Sequence, residues 1–307
     1  MKIVFMGTPS FAVPSLGALI EGGYDIAAVV TQPDRKAGRG HKMMPPPVKA
    51  LANEHDIPVL QFQRIKSPEG VAALKALAPD IIVTAAFGQI LSKEILDIPR
   101  LGCINVHASL LPKYRGAAPI QWAIINGETK SGVTIMYMDV GLDTGDIISA
   151  REVDIGEDTT GGELYETLAD VGAKLLKETL PEIIDGTSGR TPQDHARSSY
   201  YPPLSKDLGL IDWTKSARDI RNLVRALDPV MGAYATVGGE VIKIWRAGIE
   251  QGMAEPGHIV KSDNKCGLVI GTGDGLLRVD EMQAPCCRRM TPKEYFCGKS
   301  LGGNVCV

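Results

Sequence analysis

Asn105 and His107 stand two residues apart in an otherwise apolar run, Gly102-Cys103-Ile104-Asn105-Val106-His107. A strand alternates its side chains across the sheet, so the two share a face and emerge together where the strand ends. An amide donor beside an imidazole suits attack on a carbonyl: the amide stabilises the oxyanion and the ring manages a proton. A second polar cluster, Asp139-Val140-Gly141-Leu142-Asp143-Thr144-Gly145-Asp146, sets three carboxylates and two glycines in a tight turn. Glycine there lets the backbone come close to a flat ligand. A carboxylate from this turn beside His107 would orient the ring and favour the imidazolium, which stabilises negative charge. Each motif alone also has a plainer reading. Asn105 can cap a turn, His107 can be a hydrogen-bonded core histidine, and the acidic run can be a solvated turn, a reading that stays open for Asp146 in particular.

A third feature is Gln32-Pro33-Asp34-Arg35-Lys36-Ala37-Gly38-Arg39-Gly40-His41-Lys42, with four permanent cations against one carboxylate. Glycines on both sides of Arg39 predict a mobile loop that could dock on phosphates or order itself on RNA. A solvated basic face is the plainer alternative. It is not a Walker-type phosphate site, because no lysine follows a glycine with Ser or Thr next.

Other chemistries are disfavoured. The first strand ends in Met6-Gly7-Thr8-Pro9-Ser10, one glycine where a dinucleotide fingerprint needs three, which argues against a nicotinamide enzyme. Cys103 lies four residues from His107, about 13 Å along a strand, too far for activation as a nucleophile. Neither it nor the adjacent Cys286 and Cys287 has zinc-site spacing, so no metal is expected.

The elements that must position these residues follow from the apolar runs. KIVFM, DIAAVV, DIIVTAAF and GCINVH alternate with the helical patterns PSLGALIEG, VKALANEH and PIQWAIINGE. Buried runs separated by amphipathic stretches predict an α/β domain with a doubly wound, mostly parallel sheet. Two further runs, GVTIMYMD and DIISAREVDI, are spaced for a hairpin-like extension at one side. A long helix is predicted over about 162–185. From Gly186 to Lys206 the composition turns to Gly, Ser and Pro, which predicts a linker. One helix, SARDIRNLVRAL, and closely spaced strand-like segments then predict a small antiparallel β-barrel of OB-like form. The expected division is 1–188, a linker 189–206, and 207–307.

At 307 residues, with 44% hydrophobic and 22% charged residues, the chain has the composition of a globular protein with two domains. The apolar run at residues 2–6 is too short for a signal or a membrane span, so a cytoplasmic protein without a membrane partner is expected. Six cysteines without a CxxC pair predict free thiols. A net charge of −3 means that any RNA contact must come from a local basic patch. In the second domain Lys243, Arg246, Arg288, Arg289 and Lys293 are the candidates, and they must lie on one face to serve.

Taken together, FMGTPSFAVPSL, TQPDRKAGRGHKMMPPPVK, DIIVTAAFGQIL, GCINVHASLLPKYRGAAPIQWAI and GVTIMYMDVGLDTGDII resemble the methionyl-tRNA formyltransferases, a branch of the folate-dependent formyltransferase family. The likeness runs nearly end to end and is weaker toward the C-terminus. The stretch from Asn105 to Ile120 carries the folate-dependent character, and the QPDRKAGRG loop the tRNA-acting one. Enzymes acting on glycinamide ribonucleotide or amino sugars are similar around Asn-x-His and Asp but are not expected to have this loop. The resemblance implies transfer of a formyl group from 10-formyltetrahydrofolate to the amino group of initiator methionyl-tRNA, by a monomer and without a metal. It implies Asn105, His107 and Asp143 as the catalytic trio. Ser109, Leu110, Leu111 and Pro112 would bind folate, and the backbone of Asp139, Val140, Gly141 and Leu142 would meet the pterin. Arg35, Lys36, Arg39, His41 and Lys42 would contact tRNA.

Overall fold

The computed structural model describes residues 1–37, 42–297 and 305–306. The elements begin with β1 (Lys2–Gly7), α1 (Val13–Glu21), β2 (Asp25–Thr31), β3 (Arg35–Ala37), β4 (Lys42–Met44), α2 (Pro47–Glu54) and β5 (Val59–Gln61). They continue with α3 (Pro68–Leu77), β6 (Ile81–Ala85), α4 (Lys93–Leu96), β7 (Cys103–His107), β8 (Arg115–Gly116), α5 (Pro119–Ile125), β9 (Lys130–Tyr137), β10 (Ile147–Asp154) and α6 (Gly161–Asp185). The last are β11 (Tyr200–Tyr201), α7 (Ala217–Leu227), β12 (Ala233–Val237), β13 (Glu240–Glu250), β14 (Ile259–Asp263), β15 (Gly267–Thr272), β16 (Gly275–Gln283), α8 (Pro292–Phe296) and β17 (Val305–Cys306).

Seven strands form one sheet in the order β10-β9-β7-β6-β1-β2-β5. The pairs β1/β2, β2/β5, β1/β6 and β6/β7 are parallel, and β7/β9 is antiparallel. This is the expected doubly wound sheet with a side extension. The central strands are apolar over most of their length because helices cover both faces: Ile3 to Met6 and Ile81 to Val83 are fully buried. The chain winds outward from β1 through β2 and β5, then returns to the other side of β1 as β6. Reversal of that kind leaves a crevice at the carboxyl ends of the two strands. β7, which carries Asn105 and His107, is β6's other neighbour, so the site residues emerge one strand from that crevice.

The residues divide into two compact units, one of 1–116, 131–154 and 165–201, the other of 117–130, 155–164 and 202–307. The second unit holds a six-stranded antiparallel sheet, β14-β15-β16-β13-β12-β17, where a small barrel was expected. Register shifts in β13 between Ile244 and Ala247 bend the ladder with β16. Its core joins Trp213, Ile244, Leu277 and Val279 to Ile220, Val224 and Leu227 of α7, spaced at the helical repeat. Ser216 caps α7 by accepting from the Asp219 N–H. Among the described residues no helix is long and apolar enough to cross a membrane.

Candidate active site

Thr84 in β6 and Asn105 in β7 are register partners. The Thr84 hydroxyl, buried at the sheet, donates to Asn105 Oδ1 at 2.8 Å. With its oxygen so held, the Asn105 amide presents its NH₂ group, which has no partner among the described residues, as a ready donor.

Beyond His107 the chain leaves the sheet in a tight turn. Ser109 Oγ donates to the Lys113 carbonyl at 2.8 Å. Thr134 Oγ1 donates to the Ser109 carbonyl at 2.7 Å and accepts from the Leu111 N–H at 3.1 Å. These bonds bury Ser109 and Leu111 and bring the chain back at Tyr114, whose φ is 58°. The Tyr114 carbonyl then lies 3.0 Å from His107 Nε2. A carbonyl only accepts, so Nε2 carries a proton and Nδ1 is the nitrogen left for other work.

Nδ1 faces Asp143, whose Oδ1 is 3.8 Å away; both side chains are largely buried. At that distance the contact is electrostatic rather than a hydrogen bond. A second proton on the ring makes it an ion pair. Asp143 Oδ2 is fixed independently by the Gly116 N–H at 2.8 Å. Asp143 itself has φ of 54°, and the turn around it is tightly built. Asp139 Oδ1 accepts from the Gly141 N–H at 3.0 Å and from Thr144 Oγ1 at 2.6 Å. Gly145 has no room for a side chain, since a Cβ would sit 1.9 Å from the Tyr137 carbonyl oxygen. Val140 and Leu142 project from the turn with 72% and 46% of their surface exposed. Asp146 pairs with Arg190 at 3.3 Å.

The structure therefore gathers Asn105, His107 and Asp143 at the carboxyl end of β7, with the Ser109–Pro112 turn and the Asp139–Leu142 turn adjoining them in the chain. The basic segment is a different case. β3 and β4 pair as an antiparallel hairpin, and its root is anchored. Arg35 Nη2 donates to Gln32 Oε1, and Gln32 Nε2 donates to the Phe87 carbonyl at 3.2 Å, beyond β6. Asp34 accepts from Lys49 Nζ at 2.9 Å and from Gln61 Nε2 at 2.8 Å. The Gln61 amide, then Lys49, holds the Asp34 carboxyl below its ordinary range. Lys36 is exposed. Arg39 and His41 lie outside the described residues, and of Lys42 only the backbone in β4 is described.

In the second unit the cations are not equally free. Lys243 Nζ donates to the Met231 carbonyl at 2.7 Å. Arg288 pairs with Glu294 at 2.9 Å, and Arg289 with Asp228 at 2.8 Å while lying 3.5 Å over the Trp245 ring. Arg246 and Lys293 are exposed.

Cys103 is buried, and burial, with Asp97 adding to it, pushes its thiol up to about 12. It is a core residue with no thiolate to offer. Among the described residues no group of three or more His, Cys, Asp or Glu side chains could hold a metal ion. Four residues that sequence reading did not single out bond to the candidate residues or to their partners: Thr84, Tyr114, Arg115 and Gln193. Arg115 lies in the Asn105–Ile120 stretch but has no period or pattern to mark it, and Gln193 sits in the stretch read as linker.

Comparisons with known proteins bear on the family of the chain. Residues 1–180 match the formyl transferase family, and residues 203–300 match the formyl transferase C-terminal domain. The methionyl-tRNA formyltransferase of Acetivibrio thermocellus is 50% identical over 305 residues, covering 98% of each chain. That of Geobacter metallireducens is 49% identical over 305 residues, covering 99% of this chain and 98% of its own. Among solved structures, the sugar 3N-formyltransferase WlaRD, crystallised with dTDP and 5-N-formyl-tetrahydrofolate, superposes with a TM-score of 0.69 at 22% identity, over 94% of this chain and 99% of that one. HypX from Aquifex aeolicus in complex with tetrahydrofolic acid gives 0.66 at 19% identity, over 97% of this chain and 47% of that one. These two show the shared fold. The full-length matches at half identity carry more: the chain belongs to the formyl transferase family.

Proposed function

We propose that this protein transfers the formyl group of 10-formyltetrahydrofolate to the α-amino group of methionyl initiator tRNA. The observation that carries the chemistry is the His107 ring held between the Tyr114 carbonyl and Asp143, on the same strand as Asn105, whose NH₂ has no partner among the described residues. The relatives' shared name supplies the tRNA substrate.

The residues fit a folate. Val140 and Leu142 offer an exposed apolar surface, and in this reading the Asp139–Leu142 backbone meets the pterin, with Gly141 in the turn. In the reaction the amine nitrogen bonds to the formyl carbon, the carbonyl oxygen takes the negative charge, and the bond from that carbon to folate N10 then breaks. The amine loses a proton and N10 gains one, so no covalent bond to the enzyme is required. Asn105 N–H and protonated His107 stabilise the oxyanion. Asp143 holds the ring and assists the proton movement through water. In this reading residues 1–188 bind folate and carry out the chemistry, 189–206 connect while lending Gln193 to the site, and 207–307 contact tRNA. The basic segment with Arg35, Lys36, Arg39, His41 and Lys42 meets the acceptor end. The protein works as a monomer in the cytoplasm.

The test is direct. Purified protein with 10-formyltetrahydrofolate should formylate methionine-charged initiator tRNA and leave free amino sugars untouched. Formylation of a small amine and not of the charged tRNA overturns the proposal.

A further inference from the structure

The stretch 187–201 carries a buried glutamine against the acidic turn. Gln193 is 6% exposed, yet its amide is fully used. Nε2 donates to the Asp143 carbonyl at 3.0 Å and to the Gly145 carbonyl at 2.7 Å. Oε1 accepts from Arg115 Nε at 3.1 Å and Nη2 at 2.6 Å. A guanidinium has only donors, so the amide oxygen must face Arg115 and both amide hydrogens must face the turn. Arg115 is also buried, and its Nη2 donates to His195 Nδ1 at 3.2 Å.

The next residue after Arg115, Gly116, donates its N–H to Asp143 Oδ2. Asp143 is therefore held twice from one short segment: its carboxylate directly, and its backbone through Gln193. The same stretch 193–201 also braces the other side of the ring. Ser199 Oγ accepts from the Tyr114 N–H at 2.9 Å, the Ser199 carbonyl accepts from the Arg115 N–H at 2.8 Å, and Tyr201 stacks on Tyr114 at 5.0 Å. Tyr114 is the residue whose carbonyl takes His107 Nε2.

We infer that Gln193 is a positioning residue for the transfer reaction proposed above, setting Asp143 against His107 through its two donated hydrogen bonds. A glutamine that merely satisfies a buried arginine would serve as well if replaced by glutamate. One that positions the turn would not, because glutamate keeps the size and the pairing with Arg115 but has no N–H for the two carbonyls.

The test measures single-turnover formyl transfer by Gln193→Glu, alone and combined with Asp143→Asn. The expected result is a rate at least tenfold below wild type with KM for charged tRNA within twofold. On the Asp143→Asn background the same change should cost less than twofold, because the residue acts through Asp143. A wild-type rate, or an equal loss on both backgrounds, overturns the inference. If Gln193→Glu does not give a native near-UV spectrum, Gln193→Met, which lacks the donors but also leaves Arg115 without its acceptor, is judged by the double-mutant criterion alone. Loss of the native state in both overturns it too, since the residue then serves the fold and not the site. A wild-type protein without transfer activity overturns the proposed function along with this inference; an active wild type with an unaffected variant overturns this inference alone.

Discussion

The Thr84 hydroxyl lies 2.8 Å from Asn105 Oδ1, across the β6/β7 ladder. It is 2% exposed and lies also 3.0 Å from the Ile104 carbonyl. The hydroxyl has one proton and both oxygens in reach; given to Asn105 Oδ1, it fixes the amide oxygen inward and the NH₂ group outward. Thr84→Val keeps the shape and removes that control. Transfer should fall about tenfold, a smaller loss than Asn105→Ala, which removes an oxyanion donor and should cost about 100-fold or more. Steady-state kinetics on both variants checks the order. A Thr84→Val enzyme as fast as wild type would show that Asn105 is held by other means.

Asp143→Asn should separate charge from geometry. The side-chain oxygen must still accept from the Gly116 N–H, so the new NH₂ turns toward His107 Nδ1 and makes the neutral ring the favoured partner. Stabilisation of the oxyanion by an imidazolium is then lost. The expected loss in kcat is about 100-fold, with KM for tRNA little changed. A matching rise in KM with kcat intact would place Asp143 in binding instead.

The fold was legible wherever burial imposes a period. The runs that become β1, β6 and β7 are apolar because both faces of the sheet are covered, and the helix expected over 162–185 is found at Gly161–Asp185. Asn105 and His107 were legible because strand alternation fixes their common side. Gln193 was not. Gly, Ser and Pro around it signal a loop, and its partners lie 50 and 78 residues away, beyond any local pattern. Thr84 was hidden for another reason: in an apolar strand a threonine is one more β-branched residue, and only its cross-strand partner gives the hydroxyl a role. The Tyr114 φ of 58° arises from the turn's tertiary bonds and has no glycine to announce it.

The root of the basic hairpin should be sensitive to acid. Asp34 is held below its ordinary 3.8 by Gln61 and Lys49. A carboxyl lowered on folding adds stability above its unfolded pKa and loses it as pH falls through the folded one. The anchor therefore persists at neutral pH and weakens only below about pH 4. Asp34→Ala removes it at every pH. The expected effect is a several-fold rise in KM for tRNA with folate binding nearly unchanged, and Arg39→Ala should show the same asymmetry by removing a phosphate contact. Equal losses for both substrates in either variant would sink the assignment of this hairpin to tRNA.

Cys103 sits at the start of the strand that carries Asn105 and His107, and its thiol, pushed up to about 12, should be silent. Iodoacetamide at pH 8 should modify the exposed Cys266, Cys286 and Cys297 and spare Cys103, as mass spectrometry of the peptides can show. Cys103→Ala should keep transfer activity near that of wild type. The thiol has a consequence for stability as well. Its folded pKa lies above the unfolded value of 9.0, so its contribution is complete below pH 9 and drains away between pH 9 and 12, as the unfolded chain ionises and the folded one does not. At pH 10 the loss is on the order of 1 kcal/mol, one pKa unit beyond the unfolded midpoint. Denaturant melts at pH 7 and pH 10 should thus show the wild type losing more than Cys103→Ala. An equal loss, or alkylation of Cys103 that abolishes transfer in the native protein, would mean that the strand opens to solvent at the site.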